Sequence, residues 1–516
     1  MVMKRNMLLS LALIAIVPLQ AQVGKESEYE KMKKATQSQY EQFKQQSIQD
    51  YESFRQKANA EYAQFMEETW KEYEVKAAEA LPQSPKPVKV LEAEKAPVTN
   101  AQIFYDEDIE SRATDLGNSP DADLPMAKTE DKEFSGQPEP LEPILPVFDA
   151  NAVVQNLFLY GSNFPVRMEK EKEMSAKAKP LKLKNTSEKS VARMWRKLSC
   201  TYYDNMVAEC LQQRRDRNLC DWAYVKLTET MAAKQFGEGT NEAVLLQMYL
   251  LTQSGYQMRI GRVDDHLTLL MGSKEKIYRY KYFILDGVNY YILDPSMANK
   301  SMYVFDHAFP KEKALSLAMT QPKLSVARTK QRTITSERYP ELKVSIETNQ
   351  NLIDFYNDYP QCAKWDYYSK ASMSDVLKST LLPGLRKAIE GKSEEEAADI
   401  ILNLVQTGFT YKVDEDQFGY ERPLYPDETF YYPYSDCEDR SILFSCLIRE
   451  LLNLDVVLLN YPNHLATAVC FNEKVDGDYL TIDDKDYIIC DPTCRNAPVG
   501  YCHRNYKDKK PKVVRF

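Results

Sequence analysis

The chain has 516 residues, a length that predicts roughly three structural units at about 150 residues per domain. Hydrophobic residues make up 43% of it, which supports ordinary cores and excludes a wholly disordered chain. Lys and Arg total 67 against 76 for Asp and Glu, a net charge of −9, so nucleic acid is not an expected partner. Gly is scarce, at 16 residues, and no complete phosphate-binding glycine motif occurs, so we expect no nucleotide cofactor.

The first 21 residues have the pattern of a secretory signal peptide. Lys4 and Arg5 precede an apolar run from Met7 to Val17, and Ala21 offers a small residue for cleavage. The run is too short to cross a bilayer, which takes about 20 residues. We therefore expect residues 1–21 to be removed, and the mature protein to be periplasmic or secreted without a transmembrane anchor.

Residues 22–81 carry an aromatic repeat with a period of 11 residues. Its tyrosines are Tyr29, Tyr40, Tyr51, Tyr62 and Tyr73, and Met32, Phe43, Phe54 and Phe65 follow three positions behind the first four. Eleven residues make close to three helical turns, so the repeat predicts one long helix with an aromatic stripe. The stripe favours self-association or docking onto a partner, and a charged spacer helix is the alternative.

Residues 82–146 are rich in proline and charge and contain few apolar runs. This composition is typical of a disordered or extended linker. Globular patterning begins near residue 147, and two domains are predicted, over residues 147–340 and 341–516.

The two predicted domains share an internal repeat. A helix start, a histidine and an Asp-Pro pair recur in the same order, at intervals of 25 and 28 residues and then of 27 and 27. The corresponding residues are Asn241, His266 and Asp294 in the first copy and Cys437, His464 and Asp491 in the second. Matching intervals in two copies indicate tandem domains of one fold.

Each copy reads as one helix followed by strands. Thr240 caps the first helix and Ser435 or Asp436 the second, each histidine opens a strand, and the last strand ends at the Asp-Pro pair. Hairpins are expected at Asp286-Gly287 and Asp483-Asp484, and a further helix start at Ser393 with Glu396.

Cys437, His464 and Asp491 have the residue types of a cysteine nucleophile with its base and orienting carboxylate. A thiol in the first helical turn meets backbone N–H groups and the positive end of the helix dipole, which favour the thiolate. Only four histidines occur in the chain, and two of them stand at equivalent positions of the repeat.

This order on a helix and two strands resembles the transglutaminase-like superfamily of papain-type cysteine enzymes. The resemblance rests on the segments around Cys437, His464 and Asp491 and covers residues 394–500, with a weaker match over 195–297. It implies an α+β fold and an acyl-thioester mechanism on a protein, peptide or amide substrate, by a peptidase, an amidase or a transglutaminase. In the first copy Asn241 replaces the thiol while His266 and Asp294 remain, so that copy is expected to be catalytically inactive.

A loop of aromatic residues precedes Cys437 and has no counterpart in the first copy. Its members Tyr420, Tyr425, Tyr431, Tyr432 and Tyr434 are candidate walls of a substrate groove, or a loop held down by its own rings. Gln417 is a candidate oxyanion donor.

The ten cysteines fit no zinc pattern and are too sparse for a disulfide scaffold, although one or two bridges remain open. Asp414 and Asp416 begin like a calcium loop, but Tyr425 stands where a bidentate Glu is needed. We therefore predict no metal. The alternative to the enzyme is a non-catalytic binding or structural protein that uses the same fold.

Overall fold

The computed structural model describes residues 36–39, 46, 54–82, 86–95, 97–106, 138–146, 148, 152–168, 181–294, 296–297 and 301–516. Within them, residues 55–516 belong to one compact unit, to which all contacts below belong. The predicted signal peptide, residues 1–21, lies outside the described residues.

The helices lie mainly in the C-terminal two thirds of the chain. They are α1 (54–65), α2 (Glu188–Leu198), α3 (Thr201–Asp216), α4 (Asp221–Phe236), α5 (Asn241–Gln253), α6 (Gln350–Asn357), α7 (Trp365–Lys370), α8 (Asp375–Ile389), α9 (Glu394–Thr407), α10 (Asp414–Gln417), α11 (Pro426–Tyr431), α12 (Cys437–Leu452) and α13 (Arg504–Lys507). None of these described helices is long and apolar enough to span a membrane.

Runs of helices are followed by runs of mainly antiparallel strands, which gives the chain the predicted α+β class. They are β1 (Lys71–Glu74), β2 (Leu91–Glu92), β3 (Val153–Leu159), β4 (Ser162–Met168), β5 (Met258–Val263), β6 (His266–Ser273), β7 (Tyr282–Leu285), β8 (Val288–Ile292), β9 (Ser301–Phe305), β10 (Thr329–Thr335), β11 (Lys343–Asn349), β12 (Thr410–Tyr411), β13 (Tyr434–Ser435), β14 (Asp455–Tyr461), β15 (His464–Cys470), β16 (Tyr479–Ile482), β17 (Lys485–Cys490), β18 (Cys494–Arg495) and β19 (Lys512–Val514).

The two largest sheets share the order of five strands, and the first has β1 as a sixth strand at one edge. The first has the strand order β1-β9-β5-β6-β8-β7, and the second has β19-β14-β15-β17-β16 when read in the same direction. The register agrees as well, because Leu270 pairs with Ile292 in one sheet and Ala468 with Ile489 in the other. Each of these pairs lies four residues after the histidine and two before the aspartate, so the sequence repeat corresponds to a repeat of topology and register.

Local signals place most of these elements where the sequence predicts them. The Thr240 side chain accepts a hydrogen bond from the Ala243 N–H at the start of α5, and Ser393 and Glu396 form a capping box on α9. The hairpins turn at Asp286-Gly287 and Asp483-Asp484, all four residues having positive φ. Asp and Gly tolerate this left-handed backbone better than most residues, which explains why the turns form there.

The predicted helix over residues 22–81 is wrong at its C-terminal end. The helical stretch stops at residue 65, and Lys71–Glu74 forms β1, which pairs with β9 of the first sheet. The cause is tertiary: Tyr62 packs its ring against Trp195, Phe305 and Phe309, with centroids 5.0–5.2 Å apart, and Trp70 is buried nearby. These stripe residues therefore find their partner within the chain. Most of residues 22–53 lies outside the described part, so self-association through them stays a prediction.

Replacing Tyr62 by alanine should cost about 3–5 kcal/mol of stability, the usual range for removing a buried aromatic ring. Tyr62 is 2% exposed, whereas Phe65, in the same stripe, is 42% exposed and serves as the control. Thermal and urea unfolding should show a large loss for Tyr62→Ala and less than about 1 kcal/mol for Phe65→Ala. Equal losses of stability in the two variants, or a loss that depends on protein concentration, would instead favour self-association through the aromatic stripe.

The disordered-linker prediction for residues 82–146 is wrong over 86–95 and 97–106. Leu91–Glu92 pairs in parallel with Cys494–Arg495, and Ile103 is buried against the second sheet. Residues 107–137 lie outside the described part. Proline and charge had suggested a solvated segment, but edge pairing needs only backbone groups and carries little apolar signal.

The domain boundary predicted at residue 340 falls inside a hairpin. Strands β10 and β11 pair across it, and Ile334, Val344 and Ile346 join one apolar cluster with Leu381 and Leu447. Residues 329–349 therefore pack with the second half. A further cluster unites Trp195 of the first half with Cys437 and Leu465 of the second, so the halves share a core.

Candidate active site

Cys437 is the first residue of α12, as predicted, and its side chain is buried. Its Sγ accepts a hydrogen bond from the backbone N–H of Leu465, and the thiol donates to Glu438 Oε2 at 3.3 Å. Ser441, four residues further on and thus on the same helix face, donates from Oγ to the carbonyl of Leu465 at 2.9 Å. Leu465 is therefore held to α12 on both sides, which brings the preceding residue, His464, to the start of the helix.

His464 and Asp491 form a buried pair. Nε2 of His464 lies 2.8 Å from Oδ2 of Asp491, whose Oδ1 accepts from the N–H groups of Thr493 and Cys494 at 2.9 and 3.1 Å. Burial by itself would raise the pKa of Asp491, but His464 and the two N–H groups outweigh it and hold that pKa below its usual value. Asp491 is thus ionised at neutral pH, and it orients the imidazole with its proton on Nε2.

The second imidazole nitrogen, Nδ1, is buried and has no hydrogen-bond partner among the described residues. With the proton on Nε2, Nδ1 carries a lone pair that can accept a proton. The ring is fixed from one side by Tyr506, whose centroid lies 4.7 Å away in a stacked arrangement. No sequence pattern singled out Tyr506, because it follows the last motif in the short helix α13.

The structure thus joins His464 to Asp491 directly and brings Cys437 into contact with the residue next to His464. Within the described part of the chain, Cys437 Sγ makes no hydrogen bond with His464, and its thiol donates a hydrogen bond to Glu438 instead. In this arrangement the thiol proton points towards a carboxylate.

A buried acidic cluster surrounds this corner, and Lys86 lies within it. The Lys86 ammonium is 2.7 Å from Asp436, 2.9 Å from Glu421 and 3.3 Å from Asp414, and it also contacts Glu438. The five side chains are almost inaccessible to water. Two sets of carboxylates here are compact enough to hold a metal ion: Asp414, Glu421 and Glu438, and Asp414, Asp436 and Asp439. The sequence patterns, which predicted no metal, did not identify these sets.

These carboxylates reverse one electrostatic expectation. Burial, followed by Glu438 and Asp436, raises the pKa of Cys437 well above its usual value, and Lys86 opposes this only in part. The prediction of a thiolate at the helix N-terminus is therefore wrong for this conformation, in which the thiol keeps its proton. The acidic residues on either side of Cys437 were visible in the sequence, but Lys86, 350 residues from Asp436, was not.

The acidic cluster also makes stability depend on pH. Burial raises the pKa of Glu421 from 4.5 to about 7, so its contribution to stability is fully present below about pH 4.5 and is lost as the pH rises through 7. Between pH 5 and 8 the free energy of unfolding of the wild type should fall by up to about 3 kcal/mol relative to that of Glu421→Gln, because the glutamine side chain does not titrate. Melting curves over this range test the difference, with the exposed Glu341→Gln as a control that should parallel the wild type. Parallel curves for Glu421→Gln as well would contradict the raised pKa.

The first copy repeats the scaffold without the site. Asn241 Oδ1 accepts from the Leu267 N–H at 2.8 Å, the same contact that Cys437 makes with Leu465. His266 and Asp294 are both exposed, and Asp294 accepts from the N–H and Oγ of Ser296 instead of pairing with the histidine. The strand register is the same in both copies, but His266 and Asp294 do not form the hydrogen-bonded pair that His464 and Asp491 form.

The aromatic loop is held mostly by its own contacts. Tyr425 is buried and stacks on Tyr356 and Tyr368, so its prediction as a groove wall is wrong. Tyr431 and Tyr432 donate to Gln350 and Asn357 and are half-buried, as are Tyr420 and Tyr434. Their hydrogen bonds and ring contacts anchor the loop to the neighbouring helix α6, as in the second interpretation of this loop.

Gln417 ends the short helix α10 and is half-buried. Its Oε1 is buried without a hydrogen-bond partner among the described residues, and the structure records no hydrogen bond from its side chain to Cys437. Its role as an oxyanion donor stays a prediction.

The nine cysteines from Cys210 to Cys502 form no disulfide bridge with one another, and most are buried. Most of them pack as small apolar side chains in the core.

Comparison with known proteins finds no matching family model, no matching curated protein and no matching solved structure. The assignment of a function therefore depends on the geometry of the site.

Proposed function

We propose that the chain is an exported cysteine acyl-transfer enzyme in which Cys437 is the nucleophile, His464 the base and Asp491 the residue that orients His464. The observation that carries the proposal is the buried His464–Asp491 pair, 2.8 Å apart, which leaves the other imidazole nitrogen without a partner beside the start of the helix that carries the thiol. A purely structural histidine would be expected to satisfy both nitrogens, because a buried unpaired polar atom costs about 1–3 kcal/mol.

In the proposed reaction, Nδ1 of His464 takes the thiol proton as Cys437 Sγ attacks the carbonyl carbon of an amide. The protonated imidazole then delivers that proton to the leaving amine, and a thioester remains on Cys437. Water or a second amine attacks the thioester with His464 again as base, which regenerates the thiol. The substrate is a protein, a peptide or another amide, and the fold in which this takes place is a second, active copy of a transglutaminase-like domain.

The resting thiol must change partner before this reaction. Cys437 now donates to Glu438, so catalysis requires a rotation of the thiol, or a shift of the acidic cluster, that directs the proton to Nδ1. The same observation favours the second candidate function, a non-catalytic binding protein, because a buried thiol with a raised pKa is a poor nucleophile.

The two candidates differ in whether Cys437 can be acylated. We expect p-nitrophenyl acetate to acetylate Cys437 with release of p-nitrophenolate, and hydroxylamine to remove the acetyl group. Peptide mapping by mass spectrometry should locate the thioester, since the exposed Cys200 will also react to some extent. Release that turns over in Cys200→Ala but not in Cys437→Ala supports the enzyme. If Cys437 carries no acetyl group after hours of incubation while the protein stays folded, the enzyme is contradicted and the binding protein remains as the candidate function.

Export of the chain is part of the proposal and has a separate basis. It is supported by the signal-like residues 1–21 and is tested by the N-terminal sequence of the protein recovered after expression with those residues present.

A further inference from the structure

The catalytic residues are closed to substrate in this conformation. Cys437 is 2% exposed, His464 3% and Asp491 2%. Attack by Sγ on an amide carbonyl needs an approach to about 3–3.5 Å, which requires open space beside the thiol. Some part of the chain must therefore move before Cys437 can react.

The segment at this corner comes from the predicted linker. We call residues 86–95 and 97–106 the strap. At its start, Lys86 contacts Asp436 and Glu438, the residues on either side of Cys437, and the carbonyl of Pro87 accepts a hydrogen bond from Tyr411 at 2.7 Å. The start of the strap thus lies against the residues that flank the nucleophile.

The rest of the strap follows one side of the second half. Leu91 pairs with Cys494, three residues after Asp491, and the Glu94 N–H donates to Tyr501 at 3.0 Å. Further along, the Ile103 N–H donates to the Tyr479 carbonyl of β16 at 2.7 Å. The strap therefore runs from the thiol, past the end of the strand that supplies Asp491, to an edge of the sheet.

The strap buries little apolar surface, so Lys86 is its main anchor. Ile103 is buried and Leu91 and Tyr105 are partly buried, but Val88 is 83% exposed and Phe104 is exposed too. The other contacts are hydrogen bonds and the surface ion pairs of Glu92 with Arg495 and of Glu94 with Arg504. Lys86, by contrast, contacts four buried carboxyl groups at once. A segment with few apolar contacts can open locally without unfolding the domain, and its opening would expose the carboxylates and the thiol together.

We infer that the strap is an autoinhibitory segment, anchored by Lys86 in the carboxylates beside Cys437, and that its displacement admits substrate. The inference rests on the proposed function, because it takes Cys437 to be the nucleophile. The Lys86 ammonium contacts both residues that flank Cys437 and holds the strap against this corner. Detachment of the strap would uncover the thiol.

The first test compares the rate at which iodoacetamide alkylates Cys437 in full-length wild type, Lys86→Met and Lys89→Met, with sites assigned by peptide mapping. Methionine keeps most of the length of the Lys86 side chain and removes its charge, and Lys89 is an exposed lysine of the same segment. We expect at least about a tenfold faster alkylation of Cys437 in Lys86→Met and no change in Lys89→Met. The fully buried Cys490 serves as the internal reference for unfolding, since it should stay unmodified throughout.

The second test closes the strap reversibly. Leu91 and Cys494 are register partners on neighbouring strands and pack together, so Leu91→Cys can form a disulfide with the native Cys494. In the Lys86→Met background, oxidation of this pair should cancel the gain in alkylation and reduction should restore it. Glu92→Cys, which faces Arg495, is the control that cannot form this bridge. If Lys86→Met unfolds, oxidised and reduced Leu91→Cys are compared without the Lys86 substitution. The strap then predicts slower alkylation of Cys437 in the oxidised form.

The outcomes separate the two proposals. Equal alkylation rates in wild type and folded Lys86→Met, or a gain that the disulfide leaves unchanged, would overturn the autoinhibitory strap and leave the enzyme intact. A Cys437 that reacts no faster than Cys490 in every variant, the reduced strap included, would overturn the proposed function and the strap with it.

Discussion

Replacing His464 by alanine should lower the rate of Cys437 acylation by about 10²- to 10⁴-fold, the usual contribution of a positioned general base. Nδ1 of His464 is buried and has no hydrogen-bond partner among the described residues, and without it the thiol keeps its bond to Glu438. The measurement is p-nitrophenolate release combined with mapping of the acetyl group. Asp491→Asn should retain more activity, because an asparagine oxygen can still accept from Nε2.

Two controls separate catalysis from folding. His464→Gln keeps an N–H donor for Asp491 but cannot accept the thiol proton, so it should be as inactive as His464→Ala while melting closer to wild type. His266→Ala removes the exposed histidine of the first copy and should leave acylation unchanged. Wild-type acylation in His464→Gln, or an equal loss in His266→Ala, would contradict the assignment of the base.

Replacing Arg440 by alanine should destabilise the second half by about 3–5 kcal/mol, the range for removing one partner from a buried charged network. Arg440 is almost fully buried, and its guanidinium donates to Ser435 Oγ and to the carbonyls of Gln406 and Phe409 at 2.9–3.1 Å. Truncation would leave these acceptors unsatisfied and would also remove positive charge near Asp436 and Asp439. Thermal and urea unfolding, followed by circular dichroism, measure the loss.

The matched control is Arg386→Ala. Arg386 is an exposed arginine on the helix Asp375–Ile389, and its removal should change stability by no more than about 0.5 kcal/mol. A similar small effect for Arg440→Ala would show that water can replace the guanidinium, and that the corner beside Cys437 is more open in solution than the structure describes.

Sequence patterns were most reliable where the determinant is local. The capping box at Ser393, the Asp-Gly turn at residue 286 and the strands that begin at His266 and His464 all depend on residues within a few positions of one another. The repeat of intervals also predicted the repeat of strand order, because equal connections between like elements tend to form like topologies.

The predictions that were wrong concern contacts between distant segments. Tyr62 and Trp70 belong to a helical pattern that continues to residue 81, yet the helix stops at 65 because Tyr62 packs into the first half and Lys71–Glu74 adds a strand to its sheet. Tyr425 belongs to an aromatic loop that suggests a groove, yet its ring stacks between Tyr356 and Tyr368. In both cases burial against partners elsewhere in the chain overrides the local pattern.

Local patterns were sufficient to predict helices followed by strands, the internal repeat and the order of Cys437, His464 and Asp491, because periodicity, turn residues and intervals are properties of the chain. The groups that surround the thiol depend on the tertiary structure. Burial, followed by Glu438 and Asp436, raises the pKa of Cys437, and Lys86 reaches Asp436 from 350 residues away. Electrostatic interactions in a buried site depend on distances in space and on the exclusion of water, and neither can be derived from spacing along the chain.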